Sequence, residues 1–115
     1  MLDLDLFVPV IPEEKLGGYL LDLTHEHGKS KANFFFSWRV TEPEVLRRIL
    51  FAVWNAMENV EILKTAYGRK AIVKGKAIFP GGRIASLKTV WMLEEIEGKK
   101  HAIFVTAFPN PPKKR

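Results

Sequence analysis

Cysteine is missing from this chain, and histidine is scarce. The 115 residues contain no cysteine and three histidines, which excludes disulfide frameworks, thiolate zinc sites and cysteine nucleophiles. His25, His27 and His101 are the imidazoles left for a metal ion. Two of them flank a single glutamate in a spacing that matches no standard zinc pattern, so we expect no metal site and no cofactor.

Long apolar runs and targeting signals are also missing. No run of about 18 apolar residues occurs, and neither does the charged start and apolar stretch of a signal peptide. We therefore expect a cytoplasmic chain that meets no membrane. The length and an apolar content of 47% predict one domain with one core. That domain is expected over residues 1–109, followed by a basic tail over 110–115 that is disordered or tracks nucleic acid.

The motifs of the commoner enzyme classes are absent as well. The sequence has no dinucleotide-binding G-x-G-x-x-G, no P-loop, no G-x-S-x-G elbow and no carboxylate pair in a setting typical of glycoside hydrolysis. None of the serines, at positions 30, 37 and 86, has a histidine at a telling spacing. Serine nucleophiles and phosphate-cradling loops are therefore poor candidates.

Acidic residues are few in the second half of the chain. Residues 1–63 carry 6 basic and 10 acidic side chains, a balance of −4, whereas residues 64–115 carry 12 basic and 3 acidic ones, a balance of +9. A basic half is typical of a domain that meets a polyanion. A solvated lysine face that keeps an exposed sheet from aggregating explains the same charges, and both interpretations stay open.

Helices are predicted in the first half. Pro12 fits the first turn of a helix that reaches residue 23, although Gly17-Gly18 weakens it and indicates a close backbone neighbour or a shorter helix. Ser30 is positioned to cap a short second helix that ends before residue 41. A capping-box pattern over residues 41–44 begins the strongest helix, in which apolar residues recur at helical spacing.

From residue 60 the apolar period changes to that of strands. Candidate strands over 60–67, 71–79, 84–93 and 102–108 are separated by short turns. They predict an α+β fold in which N-terminal helices pack on a four-stranded antiparallel sheet. The first ten residues alternate leucine with aspartate before Pro9 and form either a short edge strand or an extended arm.

Strand alternation sorts the side chains of this sheet into an apolar and a basic face. The basic face is expected to bind substrate phosphates through Lys70, Lys74, Lys76 and Lys88. Thr89 directly follows Lys88, so the two side chains point to opposite faces unless a bulge intervenes.

Residues 24–31 concentrate groups that move protons and bind anions, with two histidines and two lysines. Imidazole titrates near neutral pH, and the lysine ammonium is a fixed cation for anionic oxygen. This set suits metal-free RNA cleavage, because the ribose 2′-hydroxyl is the nucleophile and the protein supplies a base, an acid and cations around the phosphorane. An ordinary surface loop rich in histidine and lysine explains the same residues.

Short motifs spread along nearly the whole chain form an ordered set. They are Tyr19-Leu20-Leu21, His25, Gly28, Lys31-Ala32, Phe34-Phe35, Tyr67-Gly68, Val73, Gly75, Gly82, Thr89-Val90-Trp91 and Val105-Thr106-Ala107-Phe108-Pro109. This set resembles a family of small bacterial domains of unknown function, which also occur as C-terminal cargo of large polymorphic toxins. That family is similar to the helix-then-sheet RNase toxins grouped with barnase, EndoU, colicin tRNases and RelE.

The resemblance implies a site at His25, Lys31, Thr89 and Thr106, with Tyr67 and Trp91 as secondary members. The sequence departs from the family pattern at residue 27, a second histidine, and at residue 108, where phenylalanine replaces the usual tyrosine. Which of the two histidines acts is therefore left open.

Two functions follow from these observations. The first is an RNase-like toxin domain with RNA as substrate and an immunity or antitoxin protein as partner. In it His25 is the general base or acid, Lys31 stabilises the phosphate charge, Thr89 or Thr106 orients the scissile phosphate, and Tyr67 joins the lysines in binding substrate. The alternative is a non-catalytic module whose basic sheet face binds nucleic acid or an acidic protein, with both threonines as ordinary strand residues. The oligomeric state is open in both.

Overall fold

The computed structural model describes residues 3–22, 24 and 29–109, and its helices precede most of its sheet. The elements in chain order are β1 (Val8–Val10), α1 (Glu13–Lys15), α2 (Lys29–Ser37), α3 (Pro43–Ala56), β2 (Asn59–Thr65), β3 (Gly68–Ile78), β4 (Ile84–Ile96) and β5 (Lys99–Pro109). A 3-10 turn over Leu4–Leu6 precedes β1, and a π-helical turn over Leu16–Leu20 continues α1. The described residues thus form a mixed α+β fold with three α-helices and one sheet.

The sheet has five strands in the order β1-β5-β4-β3-β2. Strands β2 to β5 form an antiparallel meander, as predicted, but β1 pairs parallel with β5 over residues 101–103. The prediction of four antiparallel strands is therefore wrong in one respect, because it omitted the parallel strand β1. The interpretation of the first residues as an edge strand is correct. Parallel strands need a long connection, and many residues separate β1 from β5 along the chain. Pro9 is tolerated in β1 because β1 is an edge strand.

One face of the sheet, here called the covered face, packs against the helices. Helix α3 buries Leu46, Ile49, Leu50, Val53 and Trp54 at helical spacing. The rings of Trp54 and Trp91 on β4 have centroids 4.8 Å apart. A Cβ at Gly75 would lie 3.2 Å from the Val53 carbonyl oxygen. Glycine at that position therefore permits α3 to lie close against β3.

The helix boundaries differ from the predicted ones for local reasons. Helix α1 is short because the chain widens into the π-helical turn, where the Leu21 N–H donates to the Leu16 carbonyl over 2.9 Å. Among the described residues no other backbone packs against Gly17 or Gly18, because the nearest described atoms to a Cβ at either position are side-chain carbons 3.9 Å away. Helix α2 begins at Lys29, so Ser30 lies inside the helix and the predicted cap is wrong.

The predicted capping box of α3 is also wrong. Glu42 is the N-cap residue without a side-chain cap bond, and Pro43 opens the helix. The Glu44 carboxylate accepts a hydrogen bond from Arg47 at 3.0 Å, and Arg47 also pairs with Glu13 of α1. The bond from Glu44, followed by that from Glu13, raises the pKa of Arg47 above its ordinary value. This ion pair joins α1 to α3 on the outside of the helical layer.

No helix in the described part of the chain is both long and apolar enough to cross a bilayer. The predicted tail over residues 110–115 lies outside the described residues, and the extent of the domain stays a prediction.

Candidate functional site

A bulge in β5 determines which of its side chains point away from the helices. Val90 pairs with Thr106 while the next residue, Trp91, pairs with Phe104, so Val105 is an extra residue in β5. Beyond this bulge Thr106 and Phe108 share the face of their partners Val90 and Lys88. We call this face, which is opposite the helices, the open face.

Side chains from three elements meet where β5 has no strand on its outer side. Strand β1 pairs only with residues 101–103, so the rest of β5 is a free edge among the described residues. There the Tyr19 hydroxyl lies 3.0 Å from the Thr106 Oγ1. The Lys31 Nζ lies 4.6 Å from the centroid of the Phe108 ring and 5.8 Å from that of Tyr19. We call this group, together with Lys88, the edge cluster.

The edge cluster is strongly positive. The Lys88 Nζ lies 5.9 Å from the Phe108 centroid, and the Lys15 Nζ lies 5.2 Å from the Tyr19 centroid. Lys74 stands directly opposite Lys88 in the sheet, and like charges in such a pair repel each other. Within the described residues Arg47 is the cation with carboxylate partners within 4.0 Å, and none of these lysines has one. The cluster is therefore suited to a bound anion.

Thr89 lies away from this cluster, on the covered face. It is fully buried, its hydroxyl donates to the Val73 carbonyl at 2.8 Å and it accepts the Trp91 indole N–H at 2.7 Å. Thr89 and Lys88 could share a face only if a bulge lay between them in β4. The bulge lies in β5 instead, opposite Val90 and Trp91. Thr89 and Trp91 are thus parts of the core.

The predicted substrate-binding residues are only partly brought together. Lys70, Lys74, Lys76 and Lys88 all lie on the open face, and from Lys70 to Lys76 they extend over roughly 20 Å of strand. Apolar side chains alternate with them, so the open face is mixed rather than uniformly basic. Tyr67 is 91% exposed in the turn before β3, roughly 20 Å along the strand from Lys74.

The predicted general base or acid falls in a part of the chain that is not described. Thr24 is held by Asp22, whose Oδ1 accepts both the Thr24 backbone N–H at 2.9 Å and its hydroxyl at 2.6 Å. His25 and His27 lie outside the described residues. The convergence of His25 with Lys31 stays a prediction, while Lys31 itself lies against β5. Within the described residues no three side chains of the metal-binding types stand together.

Tyr19 is a member of the cluster to which the sequence analysis assigned no role. It precedes the buried leucines 20 and 21 and falls in a segment predicted as an amphipathic helix. Its place in the motif Tyr19-Leu20-Leu21 was the one available signal. Its contact with Thr106, 87 residues away in the sequence, arises only in the folded chain.

The fold and the cluster together define a small helix-covered sheet domain with a basic and aromatic edge. The chain belongs to the family described as "Domain of unknown function (DUF6883)", which matches residues 5–111. This membership agrees with the resemblance to small domains of unknown function.

A solved structure has a similar fold. It is a chain of the contact-dependent growth inhibition toxin and immunity protein complex from Klebsiella pneumoniae 342, with a TM-score of 0.67 and 16% identity, covering 88% of this chain and 99% of that one. At this identity the likeness shows the fold alone. No curated protein sequence matches the chain.

Proposed function

We propose that this chain is a toxin-type domain that cleaves RNA at the edge cluster. The observation that carries the proposal is the convergence of Lys31, Thr106 and Tyr19 beside Lys88 at the free edge of β5. Two of these residues, Lys31 and Thr106, were expected at a site from the family resemblance. Because these two residues lie in one cluster, we take the edge cluster as the location of the site that the resemblance implies.

The proposed reaction is a transesterification within the substrate. The ribose 2′-oxygen attacks the adjacent phosphorus while a base, which we assign to His25, takes the 2′-proton. The bond to the 5′-oxygen breaks, that oxygen takes a proton from water, and the imidazolium gives up the 2′-proton to solvent. The products are a 2′,3′-cyclic phosphate and a 5′-hydroxyl. Lys31 and Lys88 would stabilise the negative charge that develops on the phosphorane.

Thr106 is assigned the role of orienting the scissile phosphate. A hydroxyl in reach of a phosphate oxygen can donate a hydrogen bond to it, and Tyr19 fixes the position of the Thr106 hydroxyl at 3.0 Å. Tyr19 is thus a positioning residue in this scheme. Thr89 is left out, because its hydroxyl already serves Val73 and Trp91 within the core.

The similar solved chain supports a role in a pair of a toxin and an immunity protein. It comes from a complex of a growth inhibition toxin with an immunity protein. Since the edge cluster favours the toxin role for this chain, we propose that its partner is an immunity protein. The analogy rests on the fold and adds to the geometric argument without replacing it.

The test is cleavage of total RNA and of tRNA by wild type and by His25→Ala, Lys31→Ala and Thr106→Val. Loss of the Lys31 cation should lower the rate about 100-fold, the usual cost of one charge-stabilising group. Lys99→Ala removes the same charge from the opposite end of β5 and should leave the rate unchanged. The proposal fails if wild type cleaves nothing or if His25→Ala and Lys31→Ala cleave as fast as wild type.

A second candidate is the non-catalytic binding module. It is favoured by the mixed character of the open face, where Lys74 and Lys88 lie among Ile72, Val90 and Met92. Apolar side chains bordered by polar ones on a surface are typical of interaction sites. Such a module would bind RNA in a salt-dependent manner and leave it intact. Expression in bacteria separates the two candidates, because only the RNase should arrest growth, and His25→Ala should restore it.

A further inference from the structure

An open groove lies between α3 and the end of β3, toward the edge of the sheet that is opposite the free edge of β5. Its volume is about 580 Å³, and it is lined by Val45, Arg48, Ile49, Ala52 and residues 76–80. We call it the α3 groove. It shares no side chain with the edge cluster.

One wall of the α3 groove is a strand edge to which none of the described strands is paired. Strand β2 pairs with β3 only as far as Asn59 opposite Lys74, so no strand of the described residues pairs with the outer side of residues 75–78. The Lys76 N–H points to this outer side, where it donates to the Glu58 carboxylate at 3.3 Å. Backbone groups two residues apart along a strand point the same way, so the Ile78 N–H and C=O also face outward.

The surface around this edge is largely apolar, with two cations and one carboxylate beside it. Ile78 is 71% exposed, and its cross-strand partner Ile84 is 63% exposed. Among the described residues, the charged side chains that line the α3 groove are Arg48 and Lys76, and the Glu58 carboxylate lies next to it at the Lys76 N–H. A strand edge of this kind is a template for another strand, and the excess of two cations over one carboxylate favours an acidic strand.

We propose that the α3 groove binds an extended acidic segment of a partner protein, which adds as a strand to residues 75–78. Backbone hydrogen bonds at Ile78 would supply affinity, and apolar side chains of the segment would contact Val45 and Ala52. The carboxylates of the segment would pair with Arg48 and Lys76. This interaction goes beyond RNA cleavage and does not require it.

The test uses fluorescein-labelled peptides and the whole chain. A short peptide of alternating valine and glutamate should bind at least about tenfold more tightly than one of alternating valine and lysine, measured by fluorescence anisotropy. Arg48→Glu should weaken the acidic peptide by about tenfold, since it places a like charge in the α3 groove. Arg69→Glu, the same charge change at the opposite end of β3, is the matched control and should bind like wild type.

Backbone pairing is tested separately with Ile78→Pro. Proline is tolerated in a strand edge whose N–H points outward, so the variant should fold, which circular dichroism checks. It lacks the outward donor and should lose peptide binding, whereas Ile78→Val keeps the donor and should retain binding. Both variants should cleave RNA like wild type, so a failure here is distinct from a failure of the proposed function.

Two results would overturn the proposal. The first is absence of binding by the acidic peptide, or equal binding by wild type and Arg48→Glu. The second is a dimer in solution in which the Ile78 amide is protected from hydrogen exchange without any peptide, which would assign the β3 edge to a second copy of the chain.

Discussion

The two faces of the sheet are made of alternate residues of the same strands, yet their polar groups differ. Those of the covered face have hydrogen-bond partners, and the open face has a pair of like charges. On the covered face the buried hydroxyl of Thr89 has both a donor and an acceptor partner, and no buried side-chain polar atom of the described residues is left without one. On the open face Lys74 and Lys88 stand opposite each other. The polar groups of the covered face therefore stabilise the folded chain. The open face has an unfavourable pair of like charges, and a bound anion would reduce their repulsion.

The largest effect is expected from truncating the covered face. Trp91→Ala should lower the free energy of unfolding by about 3–5 kcal/mol, because Trp91 is fully buried against Trp54 and Phe104. The neighbouring variant Met92→Ala, on the open face, should cost only about 1 kcal/mol. Urea unfolding of both variants measures the difference, and equal losses would contradict the division into two faces.

The two threonines should respond in opposite ways to replacement by valine. Thr89→Val leaves the buried Trp91 indole N–H without its acceptor, so we expect a loss of about 2 kcal/mol in unfolding free energy. RNA cleavage by that variant, assayed well below its melting temperature, should be unchanged. Thr106→Val should do the reverse, with nearly normal stability and slow cleavage. If Thr89→Val alone abolished cleavage, the assignment of Thr89 to the core would be wrong.

The smallest effect is expected at the repelling lysine pair. Lys74→Gln should raise the free energy of unfolding by about 0.5 kcal/mol, because it removes a like-charge cross-strand pair. The same variant should bind RNA more weakly, with a log–log salt slope smaller by about 0.7. Lys100→Gln is the control of opposite sign, since Lys100 stands opposite Glu95 and its loss should lower stability slightly. A stability loss in Lys74→Gln would remove the argument from repulsion.

Much of the fold could be predicted because its signals are local. The recurrence of apolar residues in α3 and the alternation in β3, β4 and β5 each specify a buried face within one element. The termini of the elements were less predictable. The predicted capping box failed because Glu44 bonds Arg47, which lies one turn further along α3.

The site was less predictable than the fold. Lys31 and Thr106 were expected at a site from a resemblance, and the structure places both in the edge cluster. Thr89 was expected beside them, but strand alternation and its buried hydrogen bonds assign it to the covered face. Tyr19 received no role, since a tyrosine among leucines is indistinguishable from a core residue in the sequence.

The sequence by itself determined the order of helices and strands, the two-faced pattern of each strand and the basic charge of the second half, because each depends on residues close together in the chain. Only the tertiary structure decided the parallel pairing of β1, the bulge at Val105 and the meeting of Tyr19 with Thr106. These depend on the register between distant segments, which is set by how whole faces pack against one another and leaves no mark within any one segment.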